Sequence, residues 1–199
     1  MFDVTEYIGI IAFAMSGFFV AVRNRLDFLG VLVSVFLTAF GGGVIRDVLV
    51  DRTPYAFCSD VPAVAVLGVM VLMLLLRFHK RDSIENRPLF ILSDSIGLIS
   101  FSITGALIAL EAGLNITGVL ALSFITAVGG GITRDVIINE VPFVFKTGFY
   151  GTVSLLVGAG MYLLSVLDVM NGYMIVSLFT IGVILRLVAY YRHWSIPLP

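Results

Sequence analysis

The sequence predicts an all-α membrane protein of seven transmembrane helices, arranged as two inverted three-helix repeats followed by a seventh helix. Three observations predict it. The 199 residues are 59% hydrophobic and only 13% charged, with a mean hydropathy of +1.08. Long apolar runs follow one another, separated by short polar joints. Residues 41–57 are echoed at 129–145, 88 positions later and without a gap.

Ordinary soluble domains carry about 25% charged residues, and a chain of this size with half that share cannot hide its apolar surface from water. A helix crossing the hydrocarbon needs about 20 residues. The runs place helices near 5–22, 29–51, 61–78, 91–110, 116–138, 149–167 and 171–190. They are too continuous for the alternating strands of a barrel. The whole chain reads as one transmembrane domain, with repeat one over 5–80, repeat two over 90–168 and the extra helix over 171–190. The first run follows the acidic segment Met1–Glu6 and lacks the basic start of a secretory signal, so it is expected to stay in the mature protein. Cys58, the single cysteine, excludes an internal disulfide, and a net charge of −1 gives no reason to expect nucleic acid.

Lysine and arginine set the orientation. Arg23, Arg25, Arg77, Lys80, Arg81, Arg87, Arg134, Lys146, Arg186 and Arg192 fall on the side opposite the N-terminus, and only Arg46 and Arg52 on the N-terminal side. Ten against two puts the N-terminus outside and the C-terminus in the cytoplasm. The 77–87 segment is then the main cytoplasmic loop, its charge serving as a topology anchor.

Within the repeat, GGGVIRDVLVDRTPYAF at 41–57 aligns with GGGITRDVIINEVPFVF at 129–145, with eight of 17 positions identical. The register extends backwards through Thr38/Thr126, Gly30/Gly118, Gly17/Gly105, Ser16/Thr104, Phe13/Phe101, Gly9/Gly97 and Glu6/Asp94. Three helices per repeat is an odd number, so the second copy enters the membrane inverted. In transporters built this way the site lies near mid-depth between the repeats.

Gly41, Gly42 and Gly43, and their counterparts Gly129, Gly130 and Gly131, fall inside the second and fifth predicted spans. Each glycine costs about 1 kcal/mol relative to alanine in a helix interior. The triplets are therefore expected as kinks or unwound turns whose freed carbonyls border a polar path for cations. Close helix packing through small residues is the competing reading. Arg46-Asp47 and Arg134-Asp135 follow by the same spacing. Ionisable residues inside spans point to function, here lining or gating a path, although each pair can also neutralise itself and simply lock the kink. The matched hydroxyls Thr38, Thr126, Ser16 and Thr104 either coordinate a partly dehydrated ion or bond back to a carbonyl one turn earlier. Glu6 and Asp94 read as charges at helix N-termini, with drawing cations to each mouth of a path as the alternative. Pro54 and Pro142 read as the ends of the second and fifth helices.

The chain has no Gly-x-x-x-x-Gly-Lys-Ser/Thr phosphate loop and no recognisable nucleophile, base and orienting carboxylate. It is not expected to be an enzyme, to carry a cofactor, or to hold a metal beyond transient monovalent cations.

The doubled Gly-Gly-Gly-x-x-Arg-Asp element on the second and fifth of seven helices resembles that of the prokaryotic TRIC (trimeric intracellular cation) channels. The same bacterial domain family also carries a glycine-transporter label. The resemblance covers about 5–190. It implies a homotrimer in the prokaryotic cytoplasmic (inner) membrane, in contact with membrane lipid. Each protomer would hold its own pore, passing potassium and sodium ions between the kinked second and fifth helices. By motif, the family's positions fall on Gly41, Gly42, Gly43, Arg46, Asp47, Gly129, Gly130, Gly131, Arg134 and Asp135. Animal members hold a phosphoinositide through basic residues that have no match here, so no such lipid is expected. Inverted repeats also suit a secondary transporter for a small solute such as glycine, which is the alternative function.

Overall fold

The computed structural model describes residues 2–80, 83–146 and 149–194. Met1 and Arg81 lie outside the described residues, as do the side chains of Lys80, Arg87 and Lys146. The described residues form nine α-helices, one short 3-10 helix and no strand. In chain order these are α1 (Phe2–Arg23), α2 (Phe28–Leu49), α3 (Tyr55–Cys58), α4 (Val61–Leu75), α5 (Ser83–Glu111), α6 (Ile116–Ile137), α7 (Phe143–Lys146), α8 (Tyr150–Val166) and α9 (Gly172–Tyr191). The 3-10 helix is Phe78–Lys80, between α4 and α5.

Each predicted span coincides with a helix. α1, α2, α6, α9 and the Pro88–Glu111 part of α5 are long and apolar enough to cross a membrane. α4 and α8 are shorter apolar helices of 15 and 17 residues. The fourth predicted span begins early: α5 starts at Ser83, inside the segment read as a loop, and carries Pro88 within it. Asp94 therefore lies well inside a helix and not at its start.

Local chemistry sets the ends. Asp27 caps α2 by accepting the Gly30 N–H at 2.7 Å, and Asn115 caps α6 by accepting the Gly118 N–H at 3.0 Å. At the other ends the chain turns through the left-handed residues Asp51 (φ 56°) and Asn139 (φ 59°). There the Arg52 and Glu140 N–H groups each return at 2.8 Å to the carbonyls of Asp47 and Asp135. Pro54 and Pro142 do not end these helices, as the sequence suggested. α2 and α6 have already stopped at Leu49 and Ile137, and the prolines precede the one-turn helices α3 and α7. The left-handed turn closes the helix first and leaves proline the N-terminal position, where its missing N–H costs nothing.

α5 runs through the middle, with 83% of its apolar stretch buried, whereas α9 lies at the edge with 22%. α1 packs along α5. There Phe13 and Phe101, 88 residues apart, meet edge to face with ring centroids 5.1 Å apart. Each ring fills the space left by a glycine of the opposite helix, Phe13 over Gly97 and Phe101 over Gly9. The exposed side chains include many large apolar ones, such as Phe28, Leu75, Leu163 and Ile181, a surface suited to lipid.

Candidate functional site

α2 and α6 cross antiparallel, and glycine makes the crossing. Gly41 lies against Gly130 and Thr133, while Gly129 lies against Gly42 and Ile45. A Cβ on Gly41 would stand 3.0 Å from the Gly130 Cα, and one on Gly129 would stand 3.2 Å from the Gly42 Cα. On Gly42 and Gly130 a Cβ would overlap the carbonyl oxygens of Thr126 and Thr38. Backbone cannot step aside as a side chain can, so only glycine permits this approach.

Both helices continue unbroken through the triplets. The expected unwound turns at Gly41–Gly43 and Gly129–Gly131 are absent, and no carbonyls are freed there. Close packing repays the modest helix cost of glycine, and in an apolar setting a broken helical hydrogen bond finds no water to replace it. The third glycines have a different duty. Gly43 and Gly131 face the arginines one turn on, with a Cβ at Gly131 meeting nothing nearer than Arg134 Nη2 at 3.9 Å.

On one side of the crossing sits Arg46, wholly buried. Its Nε donates to Asp47 Oδ1 at 2.8 Å, and its Nη2 reaches Asp47 Oδ2 and Glu6 Oε1, each at 3.1 Å. Its Nη1 donates to Glu6 Oε2 at 2.7 Å and Thr104 Oγ1 at 3.3 Å. The Phe2 ring covers the guanidinium, 5.2 Å from its centroid. Asp47 Oδ2 also accepts the Tyr55 N–H at 2.8 Å, which ties α3 to α2. Glu6, read as a helix-start charge, is therefore the buried partner of Arg46, 2% exposed.

On the other side sits Arg134, whose Nε donates to Asp135 Oδ1 at 2.8 Å. Asp135 Oδ2 accepts the Phe143 N–H at 2.8 Å and ties α7 to α6, the counterpart of the Asp47–Tyr55 bond. The likeness then fails. Asp94 stands where Glu6 would, one methylene shorter, and makes no hydrogen bond to Arg134. Its Oδ1 accepts from Ser16 Oγ at 3.0 Å. Arg134 Nη1 instead reaches Thr38 Oγ1 at 3.4 Å. Arg186 of α9 and Tyr150 of α8 complete this cluster: Tyr150 hydrogen-bonds the Asp94 carboxyl, and Arg186 is close enough to act on it electrostatically. Arg186 is 1% exposed, its guanidinium 4.7 Å over the Tyr150 ring and 5.7 Å from that of Tyr190. Its Nε and Nη1 have no hydrogen-bond partner among the described residues. Neither Arg186 nor Tyr150 was singled out as a site residue from the sequence. The available signal was an arginine inside the predicted helix 171–190, counted there only toward the orientation of the chain.

The four matched hydroxyls all have protein partners. Thr38 and Thr126 donate to the carbonyls of Ser34 and Leu122, both at 2.6 Å, the back-bonded alternative. Thr104 accepts from Arg46, and Ser16 donates to Asp94. A cavity of about 120 Å³ adjoins the second cluster, lined by Arg23, Phe90, Arg134, Asp135, Glu140 and Phe143 among others.

A family profile described as "Glycine transporter" matches this chain twice, over residues 3–77 and 91–166. A UPF0126 membrane protein of Deinococcus radiodurans is 45% identical over 139 residues, covering 69% of this chain and 63% of that protein, just under two thirds of its length. The UPF0126 membrane protein YvgT of Bacillus subtilis is 33% identical over 98% of this chain and 95% of its own. Among solved structures, a TRIC cation channel from a study of conductance superposes with a TM-score of 0.85 and 36% identity, covering 100% of this chain and 97% of that one. The TRIC trimeric intracellular cation channel orthologue of Rhodobacter sphaeroides gives 0.87 and 27% identity, over 97% and 98% of the two chains.

Proposed function

The chain belongs to the glycine-transporter (UPF0126) family of membrane proteins, the family of the TRIC channels, and from that premise we propose that it is a monovalent cation channel permeable to potassium and sodium. The observation that carries this reading is the full-length likeness, at 36% identity, to a protein named a TRIC cation channel. The buried clusters alone would suit a transporter equally well. The site favours cations over anions in one respect: Glu6 and Asp47 outnumber Arg46, leaving that cluster with a net negative charge.

In this reading α4 and α8 cross the membrane as well, giving seven spans. α1, α2 and α4 form one unit, and α5, α6 and α8 form its inverted counterpart. α9 is additional, the N-terminus is outside and the C-terminus cytoplasmic. The protein is a homotrimer with a path in each protomer between α2 and α6 at their crossing, flanked by Arg46-Asp47 and Arg134-Asp135. The tight contact of Gly41 and Gly42 with Gly129 and Gly130 leaves no room for an ion between the helices, which supports reading this conformation as the closed one. Opening parts the two helices at that contact and requires no broken helix.

Purified protein in a planar bilayer tests this. A channel gives unitary currents that reverse near the potassium potential in a KCl gradient. Saturable uptake of labelled glycine into vesicles, with no such currents, would sink the reading and favour a transporter.

A further inference from the structure

We infer that Arg186 is a charge-setting residue for cation passage: it makes the two ends of the path electrostatically unequal and so makes conduction rectify. This rests on the channel reading above. The two clusters otherwise follow one plan. Glu6, Arg46, Asp47 and Thr104 on one side answer to Asp94, Arg134, Asp135 and Ser16 on the other, each pair 88 residues apart. Both sets hold two carboxylates and one arginine. Arg186 has no counterpart, because α9 stands outside the matched segments 3–77 and 91–166. It adds one positive charge to the second set and cancels its net negative charge. Of the other charged groups around the adjoining cavity, Arg23 and Glu140 offset one another.

The guanidinium is held for this position and not for a salt bridge. It is 1% exposed and stacked over Tyr150, yet its Nε and Nη1 make no hydrogen bond among the described residues. A charge matched by an opposite one in direct contact acts on a passing ion only as a dipole, whose field falls off quickly. One that is buried, weakly screened and incompletely paired is felt across the neighbouring cavity. Arg46, by contrast, spends its nitrogens on two carboxylates and a hydroxyl. A cation at the Arg134 end therefore lacks the attraction that the net negative cluster offers at the Arg46 end.

The test is the single-channel current–voltage relation in symmetric KCl for wild type, Arg186→Gln and Arg186→Lys. The wild-type relation is asymmetric about zero voltage. Arg186→Gln removes the charge, raises the smaller current by about threefold or more and makes the relation nearly symmetric. Arg186→Lys keeps the charge while losing the planar stack, and so retains the asymmetry. A purely structural role would lower yield and thermal stability in both variants and leave the current ratio unmoved, which overturns the inference. If Arg186→Gln does not fold, Asp94→Asn leaves the arginine less compensated and must deepen the asymmetry; an unchanged ratio there overturns it too. Wild-type protein without unitary currents would overturn the channel reading itself, whereas currents indifferent to residue 186 overturn only this assignment.

Discussion

Glu6 receives both terminal nitrogens of Arg46, at 2.7 and 3.1 Å, across 40 residues of sequence and with both side chains buried. The bond joins α1 to α2 at a depth where no water competes. Removing one partner of a buried pair costs about 3–5 kcal/mol, because the remaining charge stays buried. Glu6→Gln should therefore be strongly destabilising. Glu6→Asp, which shortens the reach as Asp94 does naturally, should cost less. The fraction of monodisperse protein surviving graded heating in detergent, read by size exclusion, checks both. Equal survival of wild type and Glu6→Gln would show that Asp47 alone satisfies Arg46.

The glycine triplets are not uniform, and alanine separates their members. Gly42→Ala and Gly130→Ala drive a methyl into a backbone carbonyl and should destabilise by about 1–3 kcal/mol, the usual cost of overpacking. Gly131→Ala meets only Arg134 Nη2 at 3.9 Å and should be neutral or stabilising by up to about 1 kcal/mol through helix propensity. In the folded fraction of Gly42→Ala, the methyl wedges apart the contact proposed to close the path, so single-channel open probability should rise.

Asp135 holds Arg134 with Oδ1 and starts α7 with Oδ2, while Asp47 holds Arg46 with both oxygens and starts α3 with Oδ2. Asp135→Asn keeps the shape but weakens two charge-assisted bonds, each worth about 1.5–3 kcal/mol. Lower thermal stability is expected, with faster hydrogen exchange at the Phe143 amide by mass spectrometry. Unchanged exchange at Phe143 would show that α7 is held by other contacts.

Asn139 and Asp51 occupy left-handed backbone after their helices, a conformation glycine adopts freely. Asn139→Gly should leave melting unchanged or raise it, within about 1 kcal/mol. A loss of several degrees would mean that the Asn139 side chain supports the turn.

Arg52 and Glu111 form an ion pair at 3.0 Å with side chains 44% and 70% exposed. Exposed pairs contribute about 0–1 kcal/mol, and salt screens them. Glu111→Gln should shift thermal survival negligibly, in contrast to Glu6→Gln.

Much of this protein was legible in one dimension. Apolar run length placed every long helix, because a spanning element must satisfy its own backbone. The 88-residue register, read from letters alone, marked the residues that meet or answer one another in space: Phe13 with Phe101, Gly42 with Gly130, Asp47 with Asp135. Three things were decided only by the tertiary structure. A run of glycines looks the same whether it breaks a helix or lets two helices touch, and only the partner backbone at Thr38 and Thr126 decides for touching. Glu6 and Asp94 look like equivalent helix charges until one methylene determines which of them reaches its arginine. Arg186 reads only as one more cytoplasmic-side charge setting orientation, because the groups that give it meaning, Asp94 and Tyr150, lie on other helices. Periodicity and composition act along the chain and can be read from it. Close approach and charge pairing act between segments, and exist only once those segments have packed.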